Sequence, residues 1–319
     1  MRFYKFLILL LVFNFGWINA NTQNNSSENY KSNSVIKILA IGNSFSQDAL
    51  ESYLFGLVEA ENKQVIIGNL YIGGASLDLH WNNAKDDKAT YQYRKIDTNG
   101  VKTNTPNTAI SDALADEDWD FISFQQVSSN SGIYHTYINT LPLLFNYVKQ
   151  RAINPDVKYI LHQTWAYSRD SDHKRFINYN RNQITMYNAI VDAVKRAKRL
   201  VPIDIIVPAG TAIQNGRTST VGDNFCSDGY HLDVNIGRYT AACTWFEAIF
   251  GISVIGNSFK PDALSDSEVE IAQYAANFAI ENPNKITDLS YLNRDVALHL
   301  NELSFDNPYF YYHITPVFY

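Results

Sequence analysis

Val35-Ile36-Lys37-Ile38-Leu39-Ala40-Ile41-Gly42-Asn43-Ser44-Phe45-Ser46 decides how this chain is read. The apolar run over 35–41 predicts a buried strand. Behind it, Leu50, Tyr53, Leu54, Leu57 and Val58 recur at helical spacing and predict a helix over 47–60. Ser44 then stands at a strand-to-helix corner, beside the free N–H groups of a helix start, where negative charge is stabilised. Gly42 permits a tight turn there. The place suits a nucleophile; Ser44 or Ser46 can equally be an N-cap.

Outward from that corner the pattern repeats. Residues 65–72 predict a second strand, which ends in Gly73-Gly74-Ala75-Ser76. A glycine pair there makes a tight turn or bares a backbone N–H to a ligand. Residues 78–108 are polar and irregular, and predict a long loop in which His80 and Trp81 can line a site. A short helix over 107–116 precedes a third strand, 119–124, which delivers Gln125 and Gln126. Their amides can donate to a developing oxyanion or satisfy loop backbone. A helix over 137–151 carries Pro142 in its first turns. The fourth strand, 157–164, runs out into Trp165-Ala166-Tyr167, a platform for a sugar ring or else core aromatics. A helix within 172–199, a fifth strand at 203–207 and helices over 234–250 and 265–280 complete the pattern. The last opens on a capping box, Ser265 with Glu268. Strands alternating with helices predict an α/β fold, a parallel sheet of about five strands covered on both faces. Ligands of such sheets gather outside the C-terminal strand ends, where Ser44, Gly74, Gln125 and Trp165 fall.

Bulk properties narrow the function. Arg2 and Lys5, the apolar run 6–15 and Ala20 read as a signal peptide over 1–20, followed by a polar, flexible leader over 21–34. The chain is expected in the periplasm or outside the cell, with no membrane partner after cleavage. About 285 residues remain, enough for one sizeable domain, 35–282, with 283–319 packing on it as an extension. A net charge of −6 makes nucleic acid a poor partner. Cys226 and Cys243 are too few for a disulfide framework or a zinc site, though one bridge between them is open in an exported protein.

Acyl transfer needs a nucleophile, a base with an orienting partner, and oxyanion donors. His231 is the candidate base, because an imidazole titrates near working pH. Asp228, three residues earlier, can fold back to its Nδ1 and hold the tautomer. Asp233 is better placed as the N-cap of the next helix. His173 follows Asp170 and Asp172 but opens a long helix.

The blocks Ile41-Gly42-Asn43-Ser44-Phe45-Ser46, Gly73-Gly74-Ala75-Ser76, Gln125-Gln126 and Asp228-Gly229-Tyr230-His231, in that order, resemble those of the SGNH (GDSL-like) hydrolase superfamily, in an exported bacterial branch. The resemblance spans residues 35–282. It implies a flavodoxin-like three-layer α/β/α sandwich and a serine esterase mechanism with no metal or other cofactor. Ser44, Asp228 and His231 would be the catalytic triad. Ser44 N–H, Gly74 N–H and an amide of Gln125 or Gln126 would form the oxyanion hole. His80, Trp165 and Tyr167 are the substrate-binding candidates. Two departures stand out: Asn43 occupies the usual aspartate position, and glutamines stand where the third block has asparagine. A second Gly-Asn-Ser-Phe, at 256–259, follows a helix rather than a strand and reads as a decoy. The expected function is removal of acyl groups, acetyl foremost, from carbohydrate or another small ester. The alternatives are a non-catalytic carbohydrate-binding protein on the same scaffold and an esterase or thioesterase for lipid-like chains.

Overall fold

The computed structural model describes residues 35–293. The expected signal peptide, the leader and positions 294–319 of the extension lie outside the described residues. Seven strands form one sheet: β1 (Ile36–Gly42), β2 (Val65–Tyr71), β3 (Tyr91–Ile96), β4 (Lys102–Thr108), β5 (Phe121–Phe124), β6 (Lys158–His162) and β7 (Ile205–Val207), in the order β4-β3-β2-β1-β5-β6-β7. The five strands read from apolar runs pair in parallel: β2 and β5 flank β1, β6 follows β5, and β7 follows β6. Counted alone, those five have the order 2-1-3-4-5 of flavodoxin-like sheets. The topological switch point is therefore between β1 and β5, at the ends that deliver Ser44 and Gln125.

Among the described residues, ten α-helices accompany the sheet: α1 (Ser44–Leu50), α2 (Leu54–Ala60), α3 (Leu77–Lys85), α4 (Ile110–Asp116), α5 (His135–Ile138), α6 (Thr140–Lys149), α7 (Gln183–Ala197), α8 (Ala209–Gly216), α9 (Ile236–Phe250) and α10 (Asp266–Glu281). α1, α2, α8, α9 and α10 pack together in one layer. α3 to α6 form the other, and α7 carries the β6-to-β7 crossover. The core residues between the layers are the strand apolars, such as Ile38, Leu39, Ile67 and Ile122, with the helix faces that meet them.

Three expectations change. The helix over 47–60 is two helices, broken at 51–53. The loop expected at 78–108 is instead α3 and an antiparallel hairpin, β3 and β4, added to the sheet edge beside β2. It has a use: Arg94 on β3 lays its guanidinium 3.7 Å over the ring of Tyr71 at the end of β2. The stretch after Pro208, where no element was read between the fifth strand and the helix over 234–250, begins as α8, every residue of which is buried. Both cysteines are free thiols.

Gly210 opens α8 against the end of β6, its N–H bonded to the Gln163 carbonyl at 2.9 Å. A Cβ there would stand 2.1 Å from the Thr164 carbonyl oxygen, which is backbone and cannot swing away. Gly210→Ala should lower stability by about 2 kcal/mol and the melting midpoint by roughly 4–8 °C in a thermal scan.

Candidate active site

Asn43 is the N-cap of α1; its Oδ1 accepts the Phe45 N–H at 2.9 Å, which makes Ser44 the first helical residue. Gly42 is glycine for a steric reason rather than for a turn. A Cβ would stand 2.3 Å from Ser46 Oγ and 3.2 Å from the Gln125 side chain. Ser46 Oγ is 2.8 Å from both the Asn43 carbonyl and Asn69 Oδ1, so it belongs to the frame and not to the site.

His231 reaches this corner on the loop before α9. Its Nε2 is 2.9 Å from Ser44 Oγ, and its Nδ1 is 2.7 Å from Asp228 Oδ2. An ionised carboxylate only accepts, so Nδ1 carries the proton and Nε2 is left to accept from the serine hydroxyl. Asp228 Oδ1 also takes the His231 and Tyr230 amides at 2.7 and 3.1 Å. Burial pulls the Asp228 pKa up, but bonds from the imidazole and those amides outweigh it and hold the carboxyl below its ordinary range. The turn between the two residues needs Gly229, at φ +84° and packed against Ser171.

The loop is clamped from both sides. Asp48, one turn beyond Ser44 on α1, accepts the Leu232 N–H at 3.0 Å and pairs with Arg238 at 2.9 Å. Opposite, Trp165 Nε1 donates to the Tyr230 carbonyl at 2.8 Å and Ser168 N–H to the Gly229 carbonyl at 2.9 Å.

A cavity of about 340 Å³ opens over Ser44 and His231. Tyr71, Gly73, Gly74, Val127, Ser128 and Ser129 line it, and so do Tyr230 and His173, whose rings follow His231 in contact, His231 to Tyr230 to His173. Gly74 takes φ +67°, and a Cβ there would meet nothing within 4 Å. Among the described residues neither the Ser44 N–H nor the Gly74 N–H has a hydrogen-bond partner. No group of three His, Cys, Asp or Glu side chains is placed there to share a cation.

Several sequence-predicted residues fall elsewhere. Gln125 is spent inside the frame: Nε2 donates to Asn43 Oδ1 at 2.7 Å, and Oε1 is 3.0 Å from His162 Nδ1. Gln126 Oε1 accepts the Leu77 and Val127 amides, while its Nε2 donates to Thr136. Neither amide faces the cavity, so the expected glutamine oxyanion donor is corrected. His80 is buried on α3 against the Tyr91 hydroxyl, 2.8 Å away. Trp165 is fully buried and stacks on Phe45 at 4.2 Å, so it backs the site instead of lining it. Tyr167 is also buried, its hydroxyl 2.9 Å from Ser128 Oγ. Of the other residues that line the cavity, Tyr71, Ser128 and Ser129 were not singled out by sequence, Tyr230 only as part of the Asp228–His231 block and His173 only as a rival base. Adjacency to a strand end was the available signal, and it carries no side-chain direction.

Residues 37–279 match the family model described as a domain of unknown function, DUF4886. The chain belongs to that family. It is 52% identical to a DUF4886 family protein from Bacteroides uniformis, over 80% of this chain and 98% of that one, with a TM-score of 0.79. It also matches a candidate SGNH hydrolase from Slackia heliotrinireducens at 20% identity, over 68% of this chain and 100% of that one, with a TM-score of 0.48. An acetyl xylan esterase variant from Geobacillus stearothermophilus matches at 15% identity, over 72% and 99%, with a TM-score of 0.43. Scores below 0.5 leave those two likenesses without bearing on activity. No curated protein matches.

Two outcomes follow from the frame. Asn43→Ala removes the α1 cap and strands the Ala75 carbonyl and the Gln125 amide in a buried site. It should cost about 2–3 kcal/mol in urea unfolding. His162 and His80 are fully buried, and burial drops each imidazole pKa to about 3. The unfolded chain therefore binds more protons below about pH 6.5, so their stabilisation is present above that pH and is lost as pH falls toward 3. Each should remove about 2 kcal/mol between pH 7 and pH 5, read by urea unfolding at both; His162→Gln should flatten the slope.

Proposed function

We propose that the chain is an exported serine ester hydrolase of the SGNH type that removes acyl groups, acetyl foremost, from carbohydrate. The observation that carries the reading is the relay from Ser44 Oγ through His231 to Asp228, at 2.9 and 2.7 Å, at the mouth of a cavity. Ser44 Oγ attacks the ester carbonyl carbon as its proton passes to His231 Nε2. Asp228 stabilises the imidazolium. The oxyanion is met by the N–H groups of Ser44 and Gly74. His231 then gives the proton to the leaving alkoxide, and the alcohol departs. Water repeats the sequence on the acyl-enzyme and releases the acid.

The cavity is at the small end of ligand sites, and hydroxyl, phenol and imidazole groups line much of it. Both features favour a short acyl group on a polar alcohol over a long lipid-like chain. Export rests on the sequence of residues 1–20. The engaged glutamine amides favour a second reading, a carbohydrate-binding protein without turnover.

Purified residues 21–319 should hydrolyse 4-nitrophenyl acetate, and Ser44→Ala should reduce the rate to the uncatalysed background. Asp228→Asn should lower kcat by about 10⁴-fold through loss of the correct tautomer. No Ser44-dependent turnover of aryl or sugar acetates would leave the binding reading standing.

A further inference from the structure

Beyond the relay, the cavity holds a second histidine that the proposed chemistry does not use. His173 caps the 3₁₀ turn Lys174–Tyr179, its Nδ1 accepting the Arg175 N–H at 3.2 Å. A neutral imidazole whose Nδ1 accepts must carry its proton on Nε2. The cap therefore fixes the tautomer and leaves one N–H donor on a ring that lines the cavity. Among the described residues no protein group bonds that Nε2. The ring is held edge-on to Tyr230, centroids 5.0 Å apart, and against Tyr167 at 4.7 Å. Tyr230 in turn lies 4.2 Å from the ring of His231. Burial first, then the charge of Arg175, lowers the His173 pKa, which keeps the ring in this neutral, donating form.

The chemistry places the two halves of an ester relative to these rings. The group that protonates the leaving oxygen must lie beside it, so the alcohol occupies the His231 side. The acyl carbonyl turns toward the N–H groups of Ser44 and Gly74. His231, Tyr230 and His173 follow one another in ring contact.

We propose that Tyr230 and His173 form the leaving-alcohol subsite, where His173 selects polyhydroxylated alcohols by donating its Nε2–H to a substrate oxygen while the Tyr230 ring packs on the alcohol's carbon skeleton. The proposal deepens the ester-hydrolase reading and rests on it. The arrangement is rigid. Gly229 packs against Ser171, two residues before His173, and Trp165 fixes the Tyr230 carbonyl.

The test compares 6-O-acetylglucose with 4-nitrophenyl acetate, whose alcohol half has no hydroxyl to recognise. One hydrogen bond is worth a few-fold to about tenfold in binding. In His173→Leu the ratio of kcat/KM for the sugar ester to that for the aryl ester should fall about three- to tenfold, mainly through KM. His173→Gln, which keeps an N–H near the Nε2 position, should recover most of that ratio. Equal losses on both esters, or no recovery by glutamine, would overturn the proposal and make His173 a support for Tyr230. Calorimetric titration of 6-O-acetylglucose into Ser44→Ala, with and without His173→Leu, separates the two readings. If the wild type hydrolyses neither ester, the hydrolase reading fails, and a three- to tenfold weaker titration still supports the sugar contact. Equal affinities would overturn it.

Discussion

The site is assembled around one buried amide. Asn43 Nδ2 donates to the Ala75 carbonyl at 2.9 Å, and its Oδ1 accepts both the Phe45 N–H and Gln125 Nε2. Those bonds tie the start of α1, the turn after β2 and the end of β5, the three segments that meet at the switch point of the sheet. The inventory suits an amide. A carboxylate could take the two donors but would set a lone pair against the Ala75 carbonyl. Gln125 is fixed in turn by His162, which burial keeps neutral, so that its Nδ1–H donates to Gln125 Oε1. The two departures noted in the sequence, Asn43 and the glutamine pair after β5, thus meet in one network through the Asn43–Gln125 bond.

A second constraint acts on the histidine loop. Ser44 and His231 are 187 positions apart, and the loop that closes this distance is short and half exposed. Asp48 and Arg238 hold it to α1, and Trp165 and Ser168 hold it to the end of β6. Burial raises the Asp48 pKa, while Arg238 and the Leu232 amide oppose that shift. The carboxylate is therefore a costly group to bury, and its two partners offset the cost only while the loop is docked. That makes the clamp cooperative with the fold.

The parallel strands were legible because strands buried on both faces read as continuous apolar runs. The edge hairpin was not: Lys102-Thr103-Asn104-Thr105-Pro106-Asn107-Thr108 is exposed over all but its last residue, so no alternation marks it, and Pro106 is tolerated only because the strand is an edge. α8 was missed for the opposite reason. It is buried all round and satisfies its polar residues internally, as when Asn215 bonds the Ala275 carbonyl, so it has no polar face to reveal a period. In the site, sequence put Ser44 and Gly74 at the strand ends and joined Asp228 and His231 to Ser44, and the structure brings Ser44, Gly74 and His231 to one cavity with Asp228 bonded to His231. Sequence could not say that Gln125, Trp165 and Tyr167 point inward while Tyr230 and His173 point out. Position along a strand end is encoded locally; side-chain direction is set by neighbours that arrive from elsewhere in the chain.

With the glutamines withdrawn, the proposed oxyanion hole consists of backbone alone, and the capping geometry shows why that can suffice. An N-cap side chain satisfies the N–H of the second or third helical residue, and Asn43 takes that of Phe45. The first N–H, on Ser44, remains free beside the nucleophile. Gly74, in the left-handed region with nothing within 4 Å of where a Cβ would stand, offers a second N–H that has no hydrogen-bond partner among the described residues. Backbone donors held by a capped helix and a fixed turn need no reorganisation when charge develops, whereas a glutamine amide must first be ordered. Locking Gln125 against Asn43 gives up a flexible donor and fixes the frame that aims two rigid ones.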